Sequence, residues 1–137
     1  MNTGTLVISL DFEIHWGVSD SHTVDSYREN LKNVPAIVKR SLRMFEQYGV
    51  HTTWATVGML FCENKEEIFS LVEEANRPTY TEKRLSNYLV AESAGKNEQE
   101  DPFHFAGSLI RQIGQTPGQE VASHTFSHYY FLEAGKA

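Results

Sequence analysis

The sequence predicts an α/β fold of parallel strands joined by crossover helices, and three observations carry that prediction. Two β-rich runs, Thr5 to Leu10 and His51 to Val57, have the character of strands in a parallel sheet, the first a continuous run of the kind buried on both faces. Between them Val38, Leu42, Phe45 and Tyr48 recur at spacings of four, three and three, the period of a helix packed along one face. A third short apolar run leads into His124.

Each element follows from local signals. The first strand ends near Asp11 and Glu13. Pro35 sits near the start of the first helix, where its missing N–H costs nothing, and Gly49 stops that helix. Asn64 and Glu67 form an N-cap and N3 pair for a second helix, whose stripe is Ile68, Leu71, Val72 and Ala75 before Asn76-Arg77-Pro78. From Arg77 to Glu100 the chain turns polar, which reads as a long surface excursion anchored only by Tyr80, Leu85, Tyr88, Leu89 and Val90. Asp101-Pro102 opens a third helix through Phe105, Leu109, Ile110 and Ile113, ended by Gly114, and Thr116-Pro117-Gly118 turns the chain into the last strand.

With right-handed crossovers the three strands run parallel, and their C-terminal ends share one edge of the sheet. Asp11, Glu13, His124 and His128 therefore converge there despite their separation in sequence.

Length and charge narrow the function. A chain of 137 residues supports one domain with a core, spanning 1–137, and falls short of the ~200–250 residues of a closed α/β barrel. Twelve Lys plus Arg against eighteen Asp plus Glu give a net charge of −6, which argues against nucleic acid and anionic lipid as partners. The N-terminal apolar run is too short for a signal segment and no stretch reaches ~18 apolar residues, so a cytoplasmic protein without a membrane segment is expected. The lone Cys62, among Met59, Leu60 and Phe61, reads as a small buried apolar residue. No Gly-rich loop followed by Lys-Ser or Lys-Thr is present to cradle phosphates.

His124-Thr125-Phe126-Ser127-His128 is the strongest chemical signal. Two imidazoles four residues apart, turned through one helical step, reach the same side, and a carboxylate completes the donor set that a zinc-like cation prefers. Asp11 and Glu13 share a side only while the strand persists, which leaves open which of them meets the metal; a carboxylate at a strand end also serves to cap a helix or bind a loop amide. Thr125 and Ser127 are placed to support the ligand loop. Trp54, in mid-strand, reads as core, and Trp16 as either core or a sugar-stacking wall. His15 reads as an exposed loop residue, with a hydrogen bond to a ligand as the alternative, and His22, His51 and His104 as surface or hydrogen-bonded histidines.

These segments resemble the polysaccharide deacetylases, the NodB-homology group of carbohydrate esterase family 4. Ser9-Leu10-Asp11-Phe12-Glu13 looks like the first motif of that family, usually Thr-Phe-Asp-Asp-Gly. Thr53-Trp54-Ala55-Thr56-Val57-Gly58 is similar to its Ala-Thr-Phe-Phe-Val-x-Gly strand, and Ser123 to His128 match its His-Ser/Thr-x-x-His motif. The resemblance implies part of a distorted (β/α) barrel and a metal-dependent hydrolase that removes N-acetyl groups from an amino sugar or polysaccharide. It makes Asp11 the general base and His124 and His128 metal ligands. Phe12 stands where the family's second aspartate is usual, and relatives with an Asp-x-Asp motif move that ligand one residue on, which implies Glu13 as the third ligand. The cation is expected to be zinc, with cobalt, nickel, iron or manganese compatible with the same donors. It would polarise the acetamide carbonyl and activate a water that Asp11 deprotonates.

Only Tyr129 to Ala137 follow His128, so the later family motifs, an arginine orienting the base, an aromatic groove and a general-acid histidine, have no counterpart here. The expectation is a domain truncated on its C-terminal side, with uncovered apolar surface and self-association. The alternatives are a related amidase acting on a non-sugar C–N bond, and a metal- or glycan-binding fragment with impaired turnover.

Overall fold

The computed structural model describes residues 4–133 and the backbone of 135 and 136. Its centre is a parallel sheet in the order β1-β2-β4, formed by β1 (Ser9–Phe12), β2 (Thr52–Thr56) and β4 (Gln119–Ser123). The helices are α1 (Val24–Tyr48), α2 (Lys65–Ser70), α3 (Asn87–Ser93) and α4 (Gly107–Gln115). A two-residue antiparallel pair, β3 (Thr79–Tyr80) with β5 (Gly135–Lys136), lies apart from the main sheet. The mixed α/β class and the three parallel strands are as the sequence indicates.

Register divides the sheet into two unlike faces. Leu10 aligns with Trp54 and Val121, and Phe12 with Thr56 and Ser123. This face packs on Val38 and Leu42 of α1 and Leu109, Ile110 and Ile113 of α4, in one core that includes the edge-on pair Phe12 and Trp54. The opposite face carries Ser9 and Asp11, Thr53 and Ala55, Glu120 and Ala122. It is small and polar, so the strands are not apolar on both faces as expected.

β1 is also displaced toward the C-terminus. β2 begins only at Thr52, and the ladder starts with Thr53 N–H donating to the Ile8 carbonyl. Among the described residues, 4–7 have no strand to pair with, and Leu6 and Val7 are exposed.

Pro35 lies inside α1 rather than at its start. The helix begins earlier because the Thr23 hydroxyl accepts from the Ser26 amide at 3.2 Å, a cap the apolar periodicity did not reveal. Gly49 ends the helix in the left-handed region (φ 61°), as its sequence position indicates, while Tyr48 is exposed. The Asn64 cap is present, its Oδ1 accepting from Glu67 N–H at 2.9 Å. α2 nevertheless stops at Ser70, because the Arg77 guanidinium folds back onto the carbonyls of Phe69 and Val72. Leu71 and Ala75 are left exposed.

The segment 77–100 is not a surface excursion. It contains α3 and buries Leu85, Asn87, Tyr88, Ala91 and Ala94. Asp101 does not open a helix either. Its carboxylate accepts from the amides of Gly95 and Phe103 and pairs with the His104 ring, tying a loop. α4 starts later, where Glu98 accepts from Ser108 N–H, and it passes through Gly114 to end at Gln115.

A candidate metal centre

Backbone alternation explains why Phe12 interrupts the two carboxylates. Phe12 points into the helix-covered core, so an acid there would be buried, whereas Asp11 is on the open face and is 60% exposed. Glu13 follows the last strand residue and caps the 3-10 turn Ile14–Gly17, its carbonyl accepting from Trp16 N–H at 3.1 Å. From that position its side chain lies over Gly17, where a Cβ would sit 2.6 Å from the Glu13 carboxyl carbon.

The two histidines come from the other end of the chain. His124 N–H donates to the Thr56 carbonyl at 2.8 Å, continuing the β2–β4 ladder by one residue. Gly58 and Met59 amides then bond the carbonyls of Thr125 and Phe126, so the loop is held against the end of β2. Gly58 is required there, since a Cβ would stand 2.8 Å from the Phe126 Cα.

His124 and His128 do not share a helical turn. They sit on an irregular loop in which Thr125 (φ 60°) and His128 (φ 53°) take left-handed backbone, and the rings come to 5.3 Å between centroids. Ile14, beside Glu13, is left-handed as well (φ 50°). For β-branched Ile and Thr this region costs about 1–3 kcal/mol each, and it persists because the surrounding bonds over-determine it. Thr125 does support the loop: its hydroxyl accepts from Tyr129 N–H at 2.8 Å.

Glu13 Oε1 lies 2.7 Å from His124 Nε2 and 3.1 Å from His128 Nε2. One donor atom from each of Glu13, His124 and His128 falls within 4.8 Å of the other two. Two imidazoles and one carboxylate at this separation suit a divalent cation of the zinc type, after an opening of a few tenths of an ångström in the closest pair. The hydrogen bond from His128 holds the Glu13 carboxyl below its ordinary value despite partial burial, and the same bond raises His128. Asp11 Oδ1 stands 3.9 Å from His124 Nδ1, outside the three-donor group and open to solvent. The geometry thus separates the two carboxylates that the sequence left interchangeable.

Several residues around this group were read differently from sequence. Trp16 is completely buried, its indole N–H bonded to the His104 carbonyl, which removes it as a sugar-stacking wall. Trp54 and Cys62 are core residues as expected, and burial pushes the Cys62 thiol up to about 12. His15 is not an exposed loop residue: it is buried, with Nδ1 2.8 Å from His104 Nε2 and Nε2 3.0 Å from the His22 carbonyl.

The residue missed altogether is Asn87. It is buried, and its amide donates to the carbonyls of Trp16 and Ser127, both at 3.1 Å, while its oxygen accepts from Ser19. It stitches the turn after Glu13 to the residue before His128. No spacing rule marks an asparagine for this role within a polar stretch.

A cleft of about 550 Å³ opens beside the histidines, lined by Tyr129, Tyr130, Phe131 and Leu132. A larger one, about 790 Å³, lies behind the Ile14–Gly17 turn over His15 and His104 and includes none of the three donors. Among the described residues no helix is long and apolar enough to cross a membrane. Compared with family models, curated proteins and solved structures, the chain matches none.

Proposed function

We propose that this chain is part of a metal-dependent hydrolase of the polysaccharide deacetylase type, removing acetyl groups from N-acetylated sugars. The observation that carries the proposal is the convergence of Glu13, His124 and His128 at the C-terminal ends of parallel strands, with Asp11 exposed beside them. Sheet order supports the barrel part of the reading. Strands added successively on one side, with α1 and α4 both on one face, are the arrangement of neighbouring strands in a (β/α) barrel, whose chemistry lies at the strand C-termini.

Glu13, His124 and His128 would hold the cation, with zinc the default and cobalt, nickel, iron or manganese compatible. When bound, such an ion supplies Lewis acidity toward an acyl oxygen and toward water. Asp11 accepts the proton of the attacking water. Its exposure on the open sheet face leaves it accessible to a substrate, and its 3.9 Å distance from His124 puts it within one water of the donors. The cleft beside the histidines is lined by Tyr129, Tyr130 and Phe131, aromatic side chains of the kind that pack against the apolar side of a sugar.

Zinc titration of the metal-free protein followed calorimetrically tests the site. Wild type is expected to bind one equivalent, Glu13→Ala and His124→Ala to lose at least ~100-fold in affinity, and Asp11→Ala to stay within about threefold of wild type. On an N-acetylated oligosaccharide, zinc-dependent acetate release should fall by about 10²–10⁴ in Asp11→Ala with the metal retained. Absence of stoichiometric metal in wild type would overturn the reading.

A further inference from the structure

One buried side chain reaches both halves of the metal centre. Asn87 is 2% exposed, and its Nδ2 donates to the carbonyls of Trp16 and Ser127, both at 3.1 Å. A carbonyl only accepts, so the NH₂ end of the amide must face this pair. The Ser19 hydroxyl donates to Oδ1 at 2.5 Å and fixes the amide the same way round.

Each of these carbonyls fixes a peptide plane, because the atoms from one Cα to the next are coplanar. The Trp16 plane carries Gly17, the residue that the Glu13 carboxyl group lies across. The Ser127 plane carries the nitrogen and Cα of His128, whose left-handed backbone (φ 53°) begins there. At the other end of these two residues, Glu13 Oε1 meets His128 Nε2 at 3.1 Å. One nitrogen atom therefore holds the floor beneath the carboxylate and the root of the imidazole that faces it. His124 is positioned separately, its N–H donating to the Thr56 carbonyl at the end of β2.

We propose that Asn87 is a positioning residue for the metal centre: it holds Glu13 and His128 at metal-binding separation before a cation arrives, and thereby sets the affinity. This rests on the metal reading above and adds to it α3, an element that supplies no ligand. Groups that orient ligands from behind act on affinity through the geometry of the donors. An apolar residue of similar size cannot substitute, since both carbonyls would lose this donor inside the protein.

The test is a zinc titration and a thermal melt of the metal-free protein, comparing wild type with Asn87→Leu, Ser19→Ala and Ile68→Ala. The last truncates a fully buried residue of α2 and controls for lost stability. Asn87→Leu is expected to weaken zinc about 10- to 100-fold and Ser19→Ala about 2- to 10-fold. Ile68→Ala should stay within about threefold of wild type while melting at a clearly lower temperature. With cobalt in place of zinc, the visible absorption should be displaced in Asn87→Leu and unchanged in Ile68→Ala, a signature of donor geometry that lost stability alone does not produce. Wild-type zinc affinity and an unmoved cobalt spectrum in Asn87→Leu would overturn the inference while leaving the metal site standing. Equal zinc losses in Asn87→Leu and Ile68→Ala would overturn it as an effect of stability. No zinc bound by wild type would overturn both readings. If Asn87→Leu fails to fold, Ser19→Ala decides: weaker zinc with a displaced cobalt spectrum upholds the inference, and a wild-type titration overturns it.

Discussion

Gly17 shows how closely the site depends on single atoms. The Glu13 side chain lies across it, and a methyl there would occupy the place of the carboxyl group. Gly17→Ala should therefore displace Glu13 from His124 and His128 without removing any ligand. The expected result is a loss of zinc affinity approaching that of Glu13→Ala, with the metal-free protein destabilised by about 1–3 kcal/mol, because the carboxyl group can rotate away but the new methyl would also stand 2.8 Å from the Glu13 Cβ, which rotation does not move. A variant binding zinc like wild type would show that Glu13 reaches the histidines by another path. The three left-handed residues make the same point from the backbone: Ile14, Thr125 and His128 each lie at or next to a proposed ligand. Thr125 and His128 keep this backbone in a loop whose carbonyls at Thr125, Phe126 and Ser127 are held by Gly58, Met59 and Asn87, none of which is a proposed ligand.

Among the elements, the loop between α3 and α4 has the clearest pH signature. Burial by itself would raise the Asp101 carboxyl, but the His104 ring and the Gly95 and Phe103 amides outweigh it and hold Asp101 below its ordinary value of 3.8. A depressed carboxylate contributes stability that is complete above that ordinary value and is lost as pH falls through the lower folded one. The stability difference between wild type and Asp101→Asn should thus be constant near neutral pH, about 1–3 kcal/mol, and shrink as pH drops below about 4. Denaturant melts across that range check it, and a difference that grows on acidification would contradict the assignment. This loop also shows where sequence reading stops. Asp-Pro suggested a helix start, yet the Asp101 side chain bonds groups on both sides of itself and delays the helix to Gly107. In the polar 77–100 stretch the buried Asn87 and Leu85 carry no periodicity, so α3 was illegible. The parallel sheet, the Gly49 stop and the convergence of Glu13 with both histidines were legible, because strand alternation, a glycine after a helix and the parallel crossover rule act through backbone geometry alone.

For the whole molecule, the unequal faces of the sheet are the governing fact. One face is sealed by α1 and α4, and the other presents Asp11, Thr53 and Glu120. Among the described residues β1 and β4 each pair on one side only, and Leu6 and Val7 lie exposed just before β1. Such edges invite pairing between chains. Sedimentation velocity is expected to show association that increases with protein concentration, and a strict monomer at high concentration with a single sharp unfolding transition would refute it.

The ladder that joins these strands also sets an order in time. Glu13 and His128 meet across 115 residues of sequence, so the first of the proposed ligands leaves the ribosome long before its partners exist. Contacts of such separation form late, once the intervening helices have drawn the strands together. A nascent chain arrested before β4 should carry Glu13 without His124 or His128 to meet it, and zinc capture would coincide with the final docking of β4 on β2 rather than guide the early steps of folding.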